Sequence, residues 1–205
     1  MRLLELCAGT GSIGLYCESI GIEVISVDIS SQFHKPTHIT DLMVWDYTIY
    51  DKNHFDIVWA SPPCRYFSSM QRFSGKNSKD PYTIMMNAEK KGMPLVRRCI
   101  EIIEYFNPSR WYIENPFLGC LKSFLSDYHY IVVDYCKFGF TYKKPTIIFT
   151  NDMDLRSVRC KSDCGKMIEG TRIHIQRIGV RDKTMLKDRY SIPQPLVRYI
   201  ISHIL

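Results

Sequence analysis

No stretch of the 205-residue chain reaches the roughly 18 uncharged apolar residues that a membrane-spanning helix needs, which argues against a membrane protein. The opening Met1-Arg2-Leu3-Leu4-Glu5 lacks the layout of a secretory signal, so a soluble, intracellular protein is expected. Internal repeats and low-complexity tracts are missing too. Acidic residues run short only towards the end. Residues 1–136 carry 13 basic and 15 acidic side chains, whereas residues 137–205 carry 14 and 6. The formal net charge of +6 therefore belongs to the last third, as a polyanion-facing surface or a solubilising one. What is present is an ordinary globular composition, 45% hydrophobic and 23% charged, in a length that suits one domain with a small appendage. The 8 cysteines are scattered through apolar segments without a secretory signal, which favours reduced thiols over a disulfide framework.

Arg2–Cys7 is an apolar run ending in Gly9-Thr10-Gly11-Ser12-Ile13-Gly14, a GxGxxG pattern followed by helical periodicity up to Gly21. Glu23–Asp28 then reads as a second strand with an acidic end, giving the strand, glycine loop, helix, strand and acid of a parallel α/β sheet. Glycines let the backbone approach a nucleotide-like ligand, and Asp28 is placed to accept hydrogen bonds from ribose hydroxyls. Asp41 is a carboxylate suited to an adenine amino group. Further strands are predicted at Phe55–Ala60, Trp111–Glu114, Tyr130–Asp134 and Thr146–Thr150, with helices at Pro94–Phe106 and Pro195–Leu205. Gln71–Tyr82 and the basic Asn151–Gly179 read as loops. A sharper signal is Ser61-Pro62-Pro63-Cys64-Arg65-Tyr66-Phe67-Ser68, where two prolines after a buried strand hold a cysteine just past the sheet's carboxyl edge. A reachable thiolate there suits nucleophilic attack.

Pro-Pro-Cys-x-x-Phe-Ser after a strand resembles the catalytic loop of the DNA cytosine-5 methyltransferases, and Ser69-Met70-Gln71-Arg72-Phe73 resembles the loop that follows in eukaryotic-type members. Leu4-Glu5-Leu6-Cys7-Ala8-Gly9-Thr10-Gly11 resembles the family's cofactor motif, and Trp111-Tyr112-Ile113-Glu114-Asn115-Pro116 the strand ending in Glu-Asn-Val. The resemblance covers most of residues 1–150 and suggests a small, divergent member of viral or phage type. It implies a Rossmann-like, S-adenosylmethionine-dependent α/β sheet with helices on both faces and a very small basic recognition insert. Residues 1–150 would be the catalytic core, 151–180 the reduced insert, and 181–205 a C-terminal segment whose helix packs back on the core. S-adenosylmethionine would lie over Cys7, Ala8, Gly9, Thr10, Gly11 and Ser12, with Asp28, Ile29, Asp41, Leu42 and Pro62 completing its site. Cys64 would add to carbon 6 of a flipped-out cytosine, Glu114 would contact the ring's N3 and amine, Lys144 would stand beside them, and Asn115 would hold the loop. The implied partner is double-stranded DNA, bound by a monomer.

The chain departs from the family pattern where two arginines normally precede a strand, since Lys144 and Thr146 occupy those places. A lysine keeps the charge but not the bidentate fork. A catalytically inactive nucleic-acid-binding relative and an RNA or other-base methyltransferase therefore remain as alternatives. Arg189–Leu196 resembles the segment beside the cofactor but lacks its Gly-Asn, leaving Ser191 nearest; Leu95 resembles an apolar cofactor contact, but ordinary core is the reading preferred at its position. Cys160, Cys164 and His174 in the insert offer three zinc ligands without an evident fourth, so no metal is assigned and a phosphate-gripping basic loop is expected. Cys7, Cys17, Cys99, Cys120 and Cys136 read as core or incidental thiols.

Overall fold

A computed structural model describes residues 1–73, 79–176 and 186–204. β1 (Arg2–Leu6) is buried over nearly its whole length, as expected of a central strand covered on both faces. Gly11, at φ 67°, makes the left-handed turn that starts α1 (Ser12–Ser19) directly after it. β2 (Glu23–Asp28), the two-residue β3 (His38–Ile39) and β4 (Ile57–Ala60) follow. Next come α2 (Pro81–Asn87), a π-helical turn at Ala88–Gly92 and α3 (Met93–Phe106). α3 stops at Asn107, in the left-handed region at φ 44°, and Pro108 prevents its continuation. β5 (Arg110–Pro116), α4 (Leu121–Phe124), β6 (Tyr130–Asp134) and β7 (Pro145–Thr150) complete the sheet, and α5 (Leu186–Tyr190) and α6 (Gln194–Ile201) end the fold.

The seven strands lie in the order β3-β2-β1-β4-β5-β7-β6, with β7 antiparallel to both of its neighbours and the others parallel. The chain moves outward from β1 through β2 to β3, then returns to place β4 on β1's other side. The gap between β1 and β4 is thus a topological switch point, where open α/β sheets hold ligands at their carboxyl ends. Leu6 pairs with Ala60, and Ala60 with Ile113, so Cys7, Ser61 and Glu114 emerge together on the next rung.

Alternation along the strands feeds two cores. Leu4, Leu6, Val58, Ala60 and Ile113 pack under Val96, Cys99, Ile102 and Phe106 of α3. Leu3, Ile57, Trp59 and Tyr112 face the other way, under Ile13 and Cys17 of α1 and Leu196, Val197 and Ile200 of α6. Each fully buried aliphatic side chain of α6 contributes about 1.5–3 kcal/mol, enough to hold an eight-residue helix that could not persist alone. The α/β architecture with helices on both faces is therefore as the sequence predicts.

Local differences have local causes. The stretch expected to be loop from Gln71 to Tyr82 begins in a 3₁₀ turn (Ser69–Phe73) and ends inside α2, because Asp80 accepts from the Thr83 amide and Pro81 occupies the first helical turn; residues 74–78 lie outside the described part. The last helix ends at Ile201 rather than Leu205, which is itself outside the described residues. Asn151–Gly179, described as far as Gln176, is mostly irregular but not detached. Val158 bridges Val133 beside the sheet, and a short bridge pairs Met167 with His174.

Candidate active site

The glycine loop is built around two carboxylates. Asp28 Oδ2 accepts from the Gly9 amide at 2.8 Å and Oδ1 from the Ser30 amide at 2.8 Å, so the acid at the end of β2 orders both loops beside it. Glu5, on β1 and 2% exposed, accepts from the amides of Ile13 and Gly14 at 3.3 and 3.1 Å. It thus serves the first-turn amides of α1, groups that have no partner within the helix. Burial drives its pKa from an ordinary 4.5 to about 8, against the lowering effect of those two amides. Sequence reasoning passed over Glu5, although an acid inside an otherwise apolar strand was the signal. A methyl group on Gly14 would meet its Oε2 at 2.7 Å, and one on Gly11 would meet the His34 ring at 2.6 Å.

The expected cofactor residues divide into groups. Asp41, Pro62 and Leu95 share the lining of one cavity of about 310 Å³, with Pro63, Arg65 and Gly92. Gly9, Gly11, Ser12 and Asp28 form the neighbouring loop, closed by a 2.7 Å bond between the Thr10 and Ser12 hydroxyls. Ala8 and Thr10 are buried within it, and Ile29 is 70% exposed. Two side chains point elsewhere. Leu42 sits in the core, and Cys7, at φ 55°, is partly buried against the same core. Ser12 Oγ accepts from the Ile192 amide at 3.1 Å, so it is Ile192, rather than Ser191, that the C-terminal segment sets against the glycine loop.

Cys64 opens the 3₁₀ turn Cys64–Tyr66 after Pro63, and its carbonyl accepts from Phe67 and Ser68 at 2.9 and 2.8 Å. Phe67, 1% exposed, anchors this loop. Its ring covers Gly92, its carbonyl accepts from the Cys120 amide at 2.9 Å, and Gly119 passes so close that an added methyl would lie 2.8 Å from that carbonyl. Asn115, fully buried at the end of β5, donates from Nδ2 to the Pro62 carbonyl at 2.9 Å. The double proline removes donors, so the loop's position rests on these tertiary bonds.

Glu114 is 8% exposed, with its carboxyl pushed up by burial and eased down by Lys144 and by the Tyr135 hydroxyl, which donates to Oε1 at 3.4 Å. Burial also raises the Cys64 thiol, the Glu114 charge adds to that, and Lys144 opposes both. Cys64, Glu114 and Lys144 thus lie within electrostatic reach of one another at the carboxyl edge. Lys144 is fixed in turn, donating to the Arg189 carbonyl at 3.0 Å with its ammonium 4.6 Å from the centre of the Tyr135 ring. Thr146, fully buried, donates to the Lys144 carbonyl at 3.4 Å and eases the Tyr135 hydroxyl down against its burial, so the two positions that depart from the family pattern both act on Tyr135. Nothing in the local pattern around Tyr135 marks it; it reaches the site only because β6 lies beside β7, at the far edge of the sheet.

A Rossmann-like sheet carrying a glycine loop after β1 and a Pro-Pro-Cys loop after β4, opposite a Glu-Asn strand end, is the class of protein that this fold and site define. No family model matches the chain. A protein of Frog virus 3 (isolate Goorha) named "Probable DNA (cytosine-5)-methyltransferase" is 37% identical over 155 residues, spanning 74% of this chain and 71% of the viral protein. A solved prophage-encoded E. coli chain, provisionally assigned as a DNA modification methyltransferase, is 16% identical with a TM-score of 0.49; the match covers 73% of this chain and 46% of that one. The chain belongs to the DNA (cytosine-5)-methyltransferase family. Among the described residues no helix is long and apolar enough to cross a membrane.

Proposed function

We propose that the protein methylates carbon 5 of cytosine in double-stranded DNA through a transient covalent bond to Cys64. The observation that carries this reading is that the chain after β4, which carries Cys64, leaves the sheet's carboxyl edge beside Glu114 of β5, with Lys144 within electrostatic reach of both. The cofactor is S-adenosylmethionine, which supplies an electrophilic methyl group. The left-handed turn at Gly11 offers a cradle, and the cavity lined by Asp41, Pro62 and Leu95 a slot of suitable size for it.

Carbon 5 of cytosine is a poor nucleophile until a thiolate adds to carbon 6. In this reading Cys64 forms that bond, and the electron pair displaced into the ring becomes available at carbon 5. Glu114, whose carboxyl burial pushes upward, donates a proton or strong hydrogen bond to N3 and so stabilises the added ring. After methyl transfer the carbon-5 proton leaves to a base, the ring double bond re-forms and Cys64 is expelled as thiolate. Lys144 favours the anionic form of the thiol. Base flipping is required, because neither face of carbon 6 is open to a side chain inside a duplex. The exposed Arg156, Lys161 and Arg172 would contact phosphates, in an insert at 151–180 that replaces a separate recognition domain; residues 177–180 lie outside those described.

The test is trapping. Protein, labelled cofactor and a duplex containing 5-fluorocytosine should yield a covalent adduct, since fluorine cannot leave carbon 5 as a proton does. Peptide mapping should place the adduct on Cys64, and Cys64→Ser should form none. Absence of an adduct with any duplex would favour the inactive-relative reading instead.

A further inference from the structure

The geometry points to a structural zinc site of three cysteines and one histidine, Cys136, Cys160, Cys164 and His174. Their ligand atoms all lie within 4.8 Å of one another. The Cys160 and Cys164 sulfurs lie 3.7 and 3.4 Å from His174 Nε2. A tetrahedral zinc with the usual bond lengths separates a sulfur and a nitrogen by about 3.6 Å, between the two observed distances. Three thiols and an imidazole converging on one point match zinc better than a hard cation.

The fourth ligand is the one that spacing along the insert could not reveal. Cys136 lies upstream of β7, on the 3₁₀ turn Tyr135–Phe138 that leaves β6, and comes from the core rather than the insert. Each of the other ligands has local support. Ser162 and Gly165, at φ 68° and 67°, turn the chain between the two cysteines and after them. His174 is presented by a small bridge in which the Ile168 amide donates to the Ile173 carbonyl at 2.8 Å and the Ile175 amide to the Lys166 carbonyl at 2.9 Å. The buried Asp134 carboxylate accepts from the Cys160 amide at 2.7 Å, and Lys143 Nζ reaches the Cys160 carbonyl at 3.2 Å, fixing that residue.

The insert needs such a centre. From residue 161 to 176 no side chain is buried, and Ile168, Ile173 and Ile175 are exposed. A segment this short without a hydrophobic core orders itself through a metal or a disulfide. Zinc bound here would join the basic insert to the turn that carries Tyr135, the residue bonded to Glu114. Binding releases the thiol protons to solvent, and Lys137, paired with Asp163 at 3.1 Å, stands close enough to offset the resulting negative centre.

The full chain purified under reducing conditions should carry one zinc by elemental analysis. Cobalt should replace it with the intense visible bands of a tetrahedral thiolate site. Cys136→Ser and Cys164→Ser should each lose most of the metal, while Cys120→Ser, outside the cluster, keeps it. Chelation should open Lys161, Lys166 and Arg172 to trypsin. The proposal fails if the wild-type chain takes up neither zinc nor cobalt, if Cys136→Ser retains a full equivalent, or if mapping finds Cys160 and Cys164 joined as a disulfide in the reduced preparation. Should Cys136→Ser not fold, the cobalt titration of wild type decides alone. None of these outcomes depends on methyl transfer, so the zinc site and the catalytic reading can fail separately.

Discussion

Glu5 makes the stability of this fold depend on pH in a way that one substitution can isolate. Its carboxyl is buried behind the glycine loop with a pKa of about 8, against an ordinary 4.5. Because the folded value lies above the unfolded one, the folded chain holds the proton more tightly. The stabilisation is fully present below pH 4.5, and is lost as pH rises through about 8. At 1.36 kcal/mol per pH unit the total loss is about 5 kcal/mol, a large share of a typical domain's stability. Glu5→Gln removes the titration but turns an amide NH₂ towards one of the two helix amides, at a cost of about 1–3 kcal/mol. Wild type should therefore gain on the variant as pH falls and the variant be the more stable at pH 9, the two curves crossing between about pH 5 and 7. Urea midpoints of both proteins at intervals from pH 5 to 9 measure the difference directly. A constant offset between the two across that range would refute the reasoning.

Other perturbations test the site. Asn115→Ala removes the bond to the Pro62 carbonyl and should cut methyl transfer about tenfold or more while cofactor affinity holds, checked by separate turnover and binding titrations. Tyr135→Phe deletes the hydroxyl on Glu114 and should slow turnover by roughly tenfold, the worth of one hydrogen bond to a charged group, without changing the folded spectrum. Lys144→Met removes the charge that lowers both Cys64 and Glu114, so the rising limb of the pH–rate profile should move to higher pH. Gly11→Ala places a methyl 2.6 Å from the His34 ring at a left-handed backbone position, and calorimetry should find cofactor binding weakened well beyond tenfold.

How much of this was legible in the sequence depended on how far apart the cooperating residues lie. Gly9–Gly14, Pro62–Cys64 and Glu114-Asn115 each carry their signal within a few residues, and strand pairing only had to bring their ends to one edge. β2 and β6 begin and end where alternation and turn residues place them. Tyr135 and Cys136 were not legible, because their partners depend on β6 lying beside the antiparallel β7 and on an insert folding back across that edge. Leu42 shows the converse. Its position suited a ligand, but burial turned its side chain into the core. Helix α2 was hidden by polar neighbours although Asp80-Pro81 is a helix start.

The contact between Ser12 and Ile192 joins residues 180 positions apart. A ribosome that has released every strand of the sheet has not yet released α6, so Leu3, Trp59 and Tyr112 emerge with their cover still unmade. Until then the glycine loop lacks its last tie, and the nascent chain exposes an apolar sheet face to whatever else is in the cell. Closure of the glycine loop thus waits for Ile192 and α6, which follow every described strand, and a messenger truncated before Pro195 would leave that sheet face without the cover of α6.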